Sequence, residues 1–275
     1  MNIAPALVGL VAGAADTLPV SVAAHLLVVR AVQGSPEAHA SYHDVVVQLG
    51  TSAGVAAVYT RQALQALQAR RLHRGTAASS DARQSRAGRL ARLLLLASLP
   101  TLVLSGVVAP LTTRLLYDPR SIALALALGG LCCIAFAFTA EGATTDVLET
   151  TPRQAALIGL LHPLSFWPGT SHVLVGWLGG RLAGLSTRAA YEFALLLSLG
   201  SIAPVCLVNA VTGYDRIGAD GHGAVVLVLL AAAVGAALMV TVVRRALAAR
   251  LVALFGGYRI ALAAGVFMLV ETVPP

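Results

Sequence analysis

The sequence has no lysine, only three cysteines and few charged residues of any kind. Asp, Glu, Lys and Arg make up 11% of its 275 residues, whereas 57% are hydrophobic and the mean hydropathy is +0.81. This composition excludes a soluble globular protein and predicts an integral membrane protein of the helical type. The net charge of +7 comes from arginine alone. We attribute the lack of lysine to the nucleotide composition of the source genome and expect no nucleic-acid partner.

The three cysteines argue against two further classes of protein, those with a zinc or redox motif and those stabilised by disulfides. Cys132, Cys133 and Cys206 all lie in apolar runs and lack the spacing of a zinc or redox motif. They are interpreted as small buried hydrophobes, without a disulfide framework. The N-terminal segment lacks a charged leader region and a cleavage site, so residues 3–29 are retained as part of the fold.

Eight apolar segments follow one another along the chain. Two of them carry prolines and polar residues in their middle: 3–29, with Asp16 and Pro19, and 154–180, with Pro168. The remaining six approach the roughly 20 residues needed to cross a bilayer and are predicted to span it. These six are 45–60, 93–113, 121–140, 190–212, 223–243 and 251–270.

Arginine placement indicates how the two interrupted segments lie. The predicted loop 61–92 holds eight arginines against one acid, Asp81, and should be cytoplasmic. If 154–180 enters and leaves the membrane on the same side, the later arginines are cytoplasmic too. The pattern therefore favours a re-entrant hairpin broken at Pro168 and Gly169. The later arginines are Arg181, Arg188, Arg244, Arg245 and Arg250.

Counting membrane crossings backwards from the cytoplasmic segment 61–92 places residues 30–44 outside. If 3–29 is a second re-entrant hairpin, the N-terminus is outside as well. Each half, about 1–140 and 141–275, then has one hairpin and three spans within a single membrane domain. An odd number of crossings inverts the halves relative to each other. Leu18-Pro19 precedes Leu49-Gly50-Thr51 by about the same offset as Trp167-Pro168 precedes Leu199-Gly200-Ser201. The alternative is two unrelated proline kinks.

The polar residues of the hairpins predict a phosphate site at mid-membrane, where inverted hairpins would meet. A lone aspartate there costs roughly 2.5 to 3.5 kcal/mol, which favours a functional role. Backbone N–H groups at a Pro-Gly break bind anions, histidine acts as nucleophile or acid, and a carboxylate orients a histidine or holds a metal. Purely structural roles are the alternatives: a serine hydroxyl can donate to a carbonyl of its own helix, and His162 can donate to a neighbouring helix. The candidates are Asp16, Ser21, His25, Thr170, Ser171 and His172.

Four stretches resemble the bacterial undecaprenyl-diphosphate phosphatase family, also called the bacitracin-resistance family. AGAADTLPVSVAAHL is similar to its first motif, which ends in histidine, and YHDVVVQLGTSAGVAAVY is similar to the following Gln-Leu-Gly stretch. IGLLHPLSFWPGTSHVLVGWLGG resembles the segment around its Pro-Gly-x-Ser-Arg-Ser motif, and FGGYRIALAAGVFML its closing Tyr-Arg helix. The resemblance covers nearly the whole chain in the right order.

The resemblance implies an all-α polytopic fold of six spans and two re-entrant hairpins in a bacterial plasma (inner) membrane. It implies removal of one phosphate from a polyprenyl (undecaprenyl) diphosphate, which recycles the lipid carrier of peptidoglycan synthesis. A divalent metal, Mg or Ca, is expected with Asp16 as its ligand, and a homodimer is a further expectation.

Departures from the family fall on the chemistry. Ala12 and Asp16 stand where the family has two glutamates, and His172 replaces its motif arginine. Histidine is charged only part of the time near neutral pH, whereas arginine is a permanent bidentate clamp. Val173 and Gly176 replace the second serine and the downstream threonine.

Two functions remain open from the sequence. In a hydrolase, Ser171 or His25 attacks the terminal phosphorus, Asp16 holds a metal or orients His25, and His172 with Gly169 and Thr170 stabilises the phosphoryl oxygens. Ser21 also belongs to the phosphate-binding set. In the alternative, the same fold binds or transports a lipid phosphate without hydrolysis. A channel or assembly factor with purely structural kinks is the third interpretation.

Overall fold

The computed structural model describes residues 4–32, 42–72, 77–116, 118–213 and 221–272. Within these ranges the chain forms ten α-helices, two short 3-10 helices (Val147–Glu149 and His162–Phe166) and no strand. The predicted all-α class is confirmed. The helices are α1 Ala4–Asp16, α2 Val22–Val32, α3 Tyr42–Leu72, α4 Ala77–Leu115, α5 Pro119–Ala137, α6 Pro152–Leu161, α7 His172–Leu182, α8 Thr187–Thr212, α9 Gly221–Ala246 and α10 Ala249–Thr272.

Five helical segments of the described chain are long and apolar enough to cross a membrane. They overlap five of the six predicted spans. The sixth, 45–60, lies inside α3, whose C-terminal half is polar from Arg61 onward. A polytopic membrane fold is therefore present, while the count of six spans stays a prediction. The five segments are Ser85–Val108, Pro119–Ala137, Thr187–Thr212, Gly221–Ala246 and Ala249–Met268.

The two interrupted segments form pairs of short helices. α1 and α2 have 13 and 11 residues, and α6 and α7 have 10 and 11. At a rise of about 1.5 Å per residue none of them reaches across a core about 30 Å thick. This is the geometry of re-entrant hairpins. The breaks lie at 17–21 and 167–171, where the prolines were expected to place them.

The arginine-rich segment 61–92 is helical at both ends and is not the long loop that the charge pattern predicted. α3 continues to Leu72, and α4 begins at Ala77. Alanine, glutamine, leucine and arginine dominate the segment, and all four have high helix propensity. Residues 73–76, and residues 33–41 of the predicted outer loop 30–44, lie outside the described residues.

Helix contacts repeat between the two halves of the chain. α9 packs along both α1 and α3, and α4 packs along both α6 and α8. α5 and α10 pack against each other, as do α3 and α8. Exchanging α1–α5 with α6–α10 maps each of these contacts onto another or onto itself. The predicted inverted repeat has this arrangement.

Small residues let the helices approach closely, as is usual where van der Waals packing drives association in lipid. A Cβ added to Gly50 would meet the Leu229 carbonyl of α9, and one added to Gly200 would meet the Ser98 hydroxyl of α4. Gly50 and Gly200 are the matched positions of the two repeat motifs. The sequence duplication thus corresponds to equivalent packing.

Gly54→Ala is expected to destabilise the protein by about 1–3 kcal/mol, because the added methyl would overlap the Ala233 carbonyl and the Ala236 side chain of α9. Gly106→Ala is the matched control, since Gly106 lies in α4 with no atom near an added Cβ. It should leave the stability unchanged or raise it through helix propensity. Thermal unfolding in detergent measures both. Equal melting temperatures for the two variants would contradict this packing.

A buried arginine ties the segment after α5 to the start of α8. Arg181 donates to the Glu141 carboxylate at 3.1 Å and to the carbonyls of Leu185 at 3.0 Å and Ala140 at 2.8 Å. Glu141 also accepts from the Thr187 backbone N–H at 2.6 Å and hydroxyl at 2.7 Å. Partial burial by itself raises the pKa of Glu141. The Thr187 hydrogen bonds and the Arg181 charge together lower the pKa by more than burial raises it, so the net pKa lies below its usual value.

Since folding lowers the Glu141 pKa, its contribution to stability is present above the unfolded pKa of about 4.3 and disappears as the pH falls through the folded value. Glu141→Gln should therefore lower the melting temperature at pH 7, and the difference from wild type should shrink in acid. Glu149→Gln is the control, because Glu149 is about as exposed as Glu141 but its partner Arg86 is 53% exposed, whereas the Arg181 side chain is buried. A pH-independent difference for Glu141→Gln would contradict the ionic role.

Candidate functional site

The two hairpin tips share an unusual backbone feature. Ser21 and Ser171 have φ of 72° and 71° and are the described non-glycine residues with positive φ. Each immediately precedes a helix, α2 and α7 respectively. Such conformations cost about 1–3 kcal/mol and tend to persist at functional sites. The strain is matched between the repeats, which the sequence alone did not indicate.

The first tip is held by side chains from distant helices. The Tyr191 hydroxyl of α8 donates to the Thr17 carbonyl at 3.0 Å, and the Ser171 hydroxyl donates to the Leu18 carbonyl at 3.2 Å. The Pro19 carbonyl accepts from Arg259 of α10 at 3.1 Å. Three consecutive carbonyls released by the break are thus satisfied, as a non-aqueous environment requires. The Ser171 bond also brings the two tips into direct contact.

Arg259 joins both tips through hydrogen bonds to their backbone carbonyls. In addition to Pro19, its guanidinium donates to the carbonyls of Gly169 at 2.8 Å and Ala125 at 3.1 Å. The side chain is fully buried. Arg259 was missed as a site residue in the sequence. Its position inside the apolar span 251–270 was the available signal, because a charge there is rare and usually functional.

Asp16 and His172 are brought together across the tips. Asp16 is the last residue of α1 and His172 the first of α7, and both are buried. His172 Nδ1 lies 3.8 Å from Asp16 Oδ1, within ion-pair distance but beyond hydrogen-bond distance. Thr51 of α3 also approaches this carboxylate, although its buried hydroxyl completes no hydrogen bond. Asp16 therefore faces His172, whereas the sequence hypothesis paired it with His25 or a metal.

The remaining residues of the second tip have structural partners. Ser171 caps α7 by accepting from the Leu174 N–H at 3.4 Å. Thr170 donates its hydroxyl to the Trp167 carbonyl at 2.7 Å. Gly169 has φ of 98° and packs so closely on Ile122 of α5 that a side chain would not fit. These three residues shape the turn and the start of α7.

His25 and His162 have surroundings separate from the Asp16–His172 pair. His25 lies on α2 with Nδ1 2.7 Å from the Ser21 carbonyl and Nε2 2.6 Å from the Tyr258 hydroxyl of α10. His162 is fully buried, and its Nδ1 contacts the Thr101 hydroxyl at 3.0 Å. The contact between His162 and α4 agrees with the structural interpretation that the sequence left open. Its Nε2 is buried without a partner.

The electrostatics of the two tips favour an anion. α2 and α7 both begin at the tips, and a helix N-terminus presents backbone N–H groups and a positive dipole end. The Arg259 guanidinium lies beside both turns, and Asp16 is the carboxylate that contacts the His172 ring. The N-termini of two helices that begin at touching turns, with a buried arginine beside those turns, form a surrounding suited to phosphate.

A family model comparison decides the identity of the fold. The model described as Bacitracin resistance protein BacA matches residues 5–265. The chain belongs to this family. The BacA match runs from α1 into α10 and so includes both hairpin tips and Arg259. The family resemblance inferred from the four sequence stretches is confirmed.

Two relatives of this BacA-family chain carry the same name. An undecaprenyl-diphosphatase of Sorangium cellulosum is 32% identical over 270 residues, which cover 96% of this chain and 84% of the relative. An undecaprenyl-diphosphatase of Solidesulfovibrio magneticus is 30% identical, with 97% of both chains covered. The similarity therefore extends over nearly the whole chain and is not confined to one repeat.

Proposed function

We propose that this BacA-family protein is a membrane hydrolase that removes the terminal phosphate of undecaprenyl diphosphate. The names of its two relatives and the full-length family match support this activity. The lipid tail suits a multi-pass membrane protein, and the released monophosphate would re-enter the carrier cycle of peptidoglycan synthesis. We also assign the protein to the bacterial inner membrane. A homodimer stays a prediction.

One observation carries the proposal: the turns that precede α2 and α7 are joined by the Ser171 hydroxyl and by a buried arginine, Arg259, that donates to a carbonyl of each turn. A diphosphate brings at least two negative charges to a site of low dielectric constant. Preorganised donors stabilise such charges without reorganisation during the reaction. Alternating access requires the two repeats to move against each other, whereas these hydrogen bonds tie the two turns together, and the hydrolytic function is therefore preferred.

In the proposed reaction, His25 is the base. Its Nε2 takes a proton from water, the water oxygen bonds to the terminal phosphorus, and the bridging P–O bond breaks. Polyprenyl monophosphate leaves with the electron pair of that bond. His172, oriented by Asp16, supplies positive charge or a proton to the phosphoryl oxygens, together with the backbone at Gly169 and Thr170. Ser21 completes the phosphate-binding set.

Ser171 is less suited to nucleophilic attack than the sequence suggested. Its hydroxyl proton is donated to the Leu18 carbonyl, and its oxygen accepts from the Leu174 N–H. Attack by Ser171 would break the contact between the tips and remove the cap of α7. We therefore assign Ser171 to holding the two tips together.

The described residues fit a metal ion held jointly by the protein and the substrate better than one held by protein ligands alone. Among them, no group of three His, Cys, Asp or Glu side chains lies close enough to hold an ion. Asp16 supplies one carboxylate, and Mg²⁺ is often bound by one or two carboxylates together with substrate phosphates. Mg or Ca bound in this way would neutralise part of the diphosphate charge. Asp16 is its proposed protein ligand.

Phosphate release from undecaprenyl diphosphate by purified protein in detergent tests the proposal. Wild type should release phosphate, with less release after chelation of divalent ions and much less from His25→Ala. His222→Ala, a change at the start of α9, is the matched control and should retain activity. Transfer of lipid phosphate across vesicles without hydrolysis, under every metal condition, would support the transport alternative and exclude hydrolysis.

A further inference from the structure

We propose that Tyr258 is a positioning residue that holds the His25 ring through Nε2 in the orientation needed for proton transfer. The role of His25 as the base rests on the proposed function. The contact between the two side chains does not. His25 belongs to the first hairpin and Tyr258 to α10, 233 positions later in the chain. The hydrogen bond between them therefore ties the imidazole of the first hairpin to a spanning helix.

Both ring nitrogens of His25 are engaged. The Ser21 carbonyl, 2.7 Å from Nδ1, accepts only, so Nδ1 carries a proton. In the neutral ring Nε2 then has the lone pair, and the Tyr258 hydroxyl at 2.6 Å must donate to it. The tautomer that leaves Nε2 basic is the one a general base requires. Ser21 thus fixes the tautomer, and Tyr258 fixes the direction of the lone pair.

The rings also stack. The His25 and Tyr258 centroids are 5.6 Å apart with an interplanar angle of 16°. A stacked ring and a hydrogen bond from the same residue restrict both rotation and tilt of the imidazole. Stacking supplies contact area, whereas the hydroxyl supplies direction. The two contributions are separable by mutation.

The pair lies beside the hairpin tips and is accessible. Tyr258 precedes Arg259, whose guanidinium binds both turns, and the Tyr258 side chain is 46% exposed. Tyr258 lies about 14 Å along α10 from Ala249, near the middle of a core about 30 Å thick. A polar pair at that depth is costly against hydrocarbon. It is suited to a polar opening from which water reaches Nε2.

The hydroxyl must be displaced for the reaction to proceed. The water that gives up its proton takes the place of the Tyr258 hydroxyl and donates an O–H to Nε2, and the imidazole is already aligned when this water arrives. One hydrogen bond to Nε2 replaces another, no covalent bond is made or broken in this exchange, and the Nδ1 hydrogen bond to Ser21 is retained. Tyr258 therefore acts through His25 without contacting the reacting phosphorus.

A double-mutant cycle on the full chain tests the proposal. Tyr258→Phe keeps the stacked ring and removes the hydroxyl, and should lower kcat about ten- to a hundredfold by loosening the base, with KM within about twofold because the phosphate ligands remain. In a His25→Ala background the same change should have no further effect. Tyr258→Leu, which also removes the stack, should lower kcat more than Tyr258→Phe.

Ring ¹⁵N resonances of His25, assigned by their loss in His25→Ala, give a readout independent of activity. In Tyr258→Phe the Nε2 resonance should move toward that of a lone pair without a donor, while Nδ1 stays protonated. Equal kcat losses in both backgrounds, or an unchanged Nε2 resonance, would overturn the proposal. If wild type releases no phosphate, hydrolysis fails and the Nε2 resonance alone decides the role of Tyr258.

Discussion

Arg259→Met should produce the largest loss of stability of any single change at the hairpin tips. Methionine fills much of the same volume but donates nothing, so the carbonyls of Pro19, Ala125 and Gly169 lose their shared donor. Each unsatisfied buried carbonyl costs about 1–3 kcal/mol, and removal of the buried charge offsets part of the sum. We expect a net loss of about 3–5 kcal/mol and no phosphatase activity.

Thermal unfolding in detergent and phosphate release measure this effect together. Arg250→Met is the matched control, because Arg250 is an exposed arginine on the same helix, and it should behave as wild type. Arg259→Lys adds a second test: a lysine keeps the charge but lacks the planar fork that reaches two turns at once. An Arg259→Lys protein as stable as wild type would show that charge alone suffices and would contradict the clamp.

Asp16→Asn should produce the largest loss of activity with the fold retained. Asparagine has nearly the same shape as aspartate but removes the negative charge that faces His172 at 3.8 Å. His172 would lose its ion-pair partner, and a divalent ion would lose its carboxylate. We expect kcat/KM to fall about a hundredfold or more, as for loss of a preorganised electrostatic group. Thermal unfolding should change little, because no carbonyl of the tips is released.

Asp118→Asn is the control for this prediction. Asp118 caps α5 by accepting from the backbone N–H groups of Arg120 and Ser121, and asparagine serves that purpose equally well. Its activity should equal that of wild type. Phosphate release at saturating and at low substrate separates a fall in kcat from a rise in KM. Full activity of Asp16→Asn would remove Asp16 from the reaction and from metal binding.

Much of the fold follows from local physical chemistry. A mean hydropathy of +0.81 and few charges indicate that the chain lies in a lipid bilayer, and prolines at 19 and 168 locate the helix breaks. Arginine distribution separates re-entrant from spanning segments. These signals are local because burial in lipid and loss of a helix hydrogen bond depend on a residue and its near neighbours. The basic segment 61–92 was predicted wrongly as a loop, since charge was weighed and helix propensity was not.

The candidate site was predicted only in part. The sequence indicated that polar tips would meet, and the structure joins Ser171 to Leu18 and brings Asp16 to His172. It did not indicate which histidine faces Asp16. Backbone strain at Ser21 and Ser171 was equally hidden, because φ is decided by packing around the turn and not by serine itself.

The sequence by itself determined that the protein lies in a membrane and is helical, where its two helix breaks lie, and which family it belongs to. Only the tertiary structure decided which donor satisfies which carbonyl: Arg259 reaches Pro19 across 240 positions, and Tyr258 reaches His25 across 233. Such pairings depend on how rigid helices pack in three dimensions, and a hydrogen bond requires placement within a few tenths of an ångström. Sequence spacing carries no information at that scale.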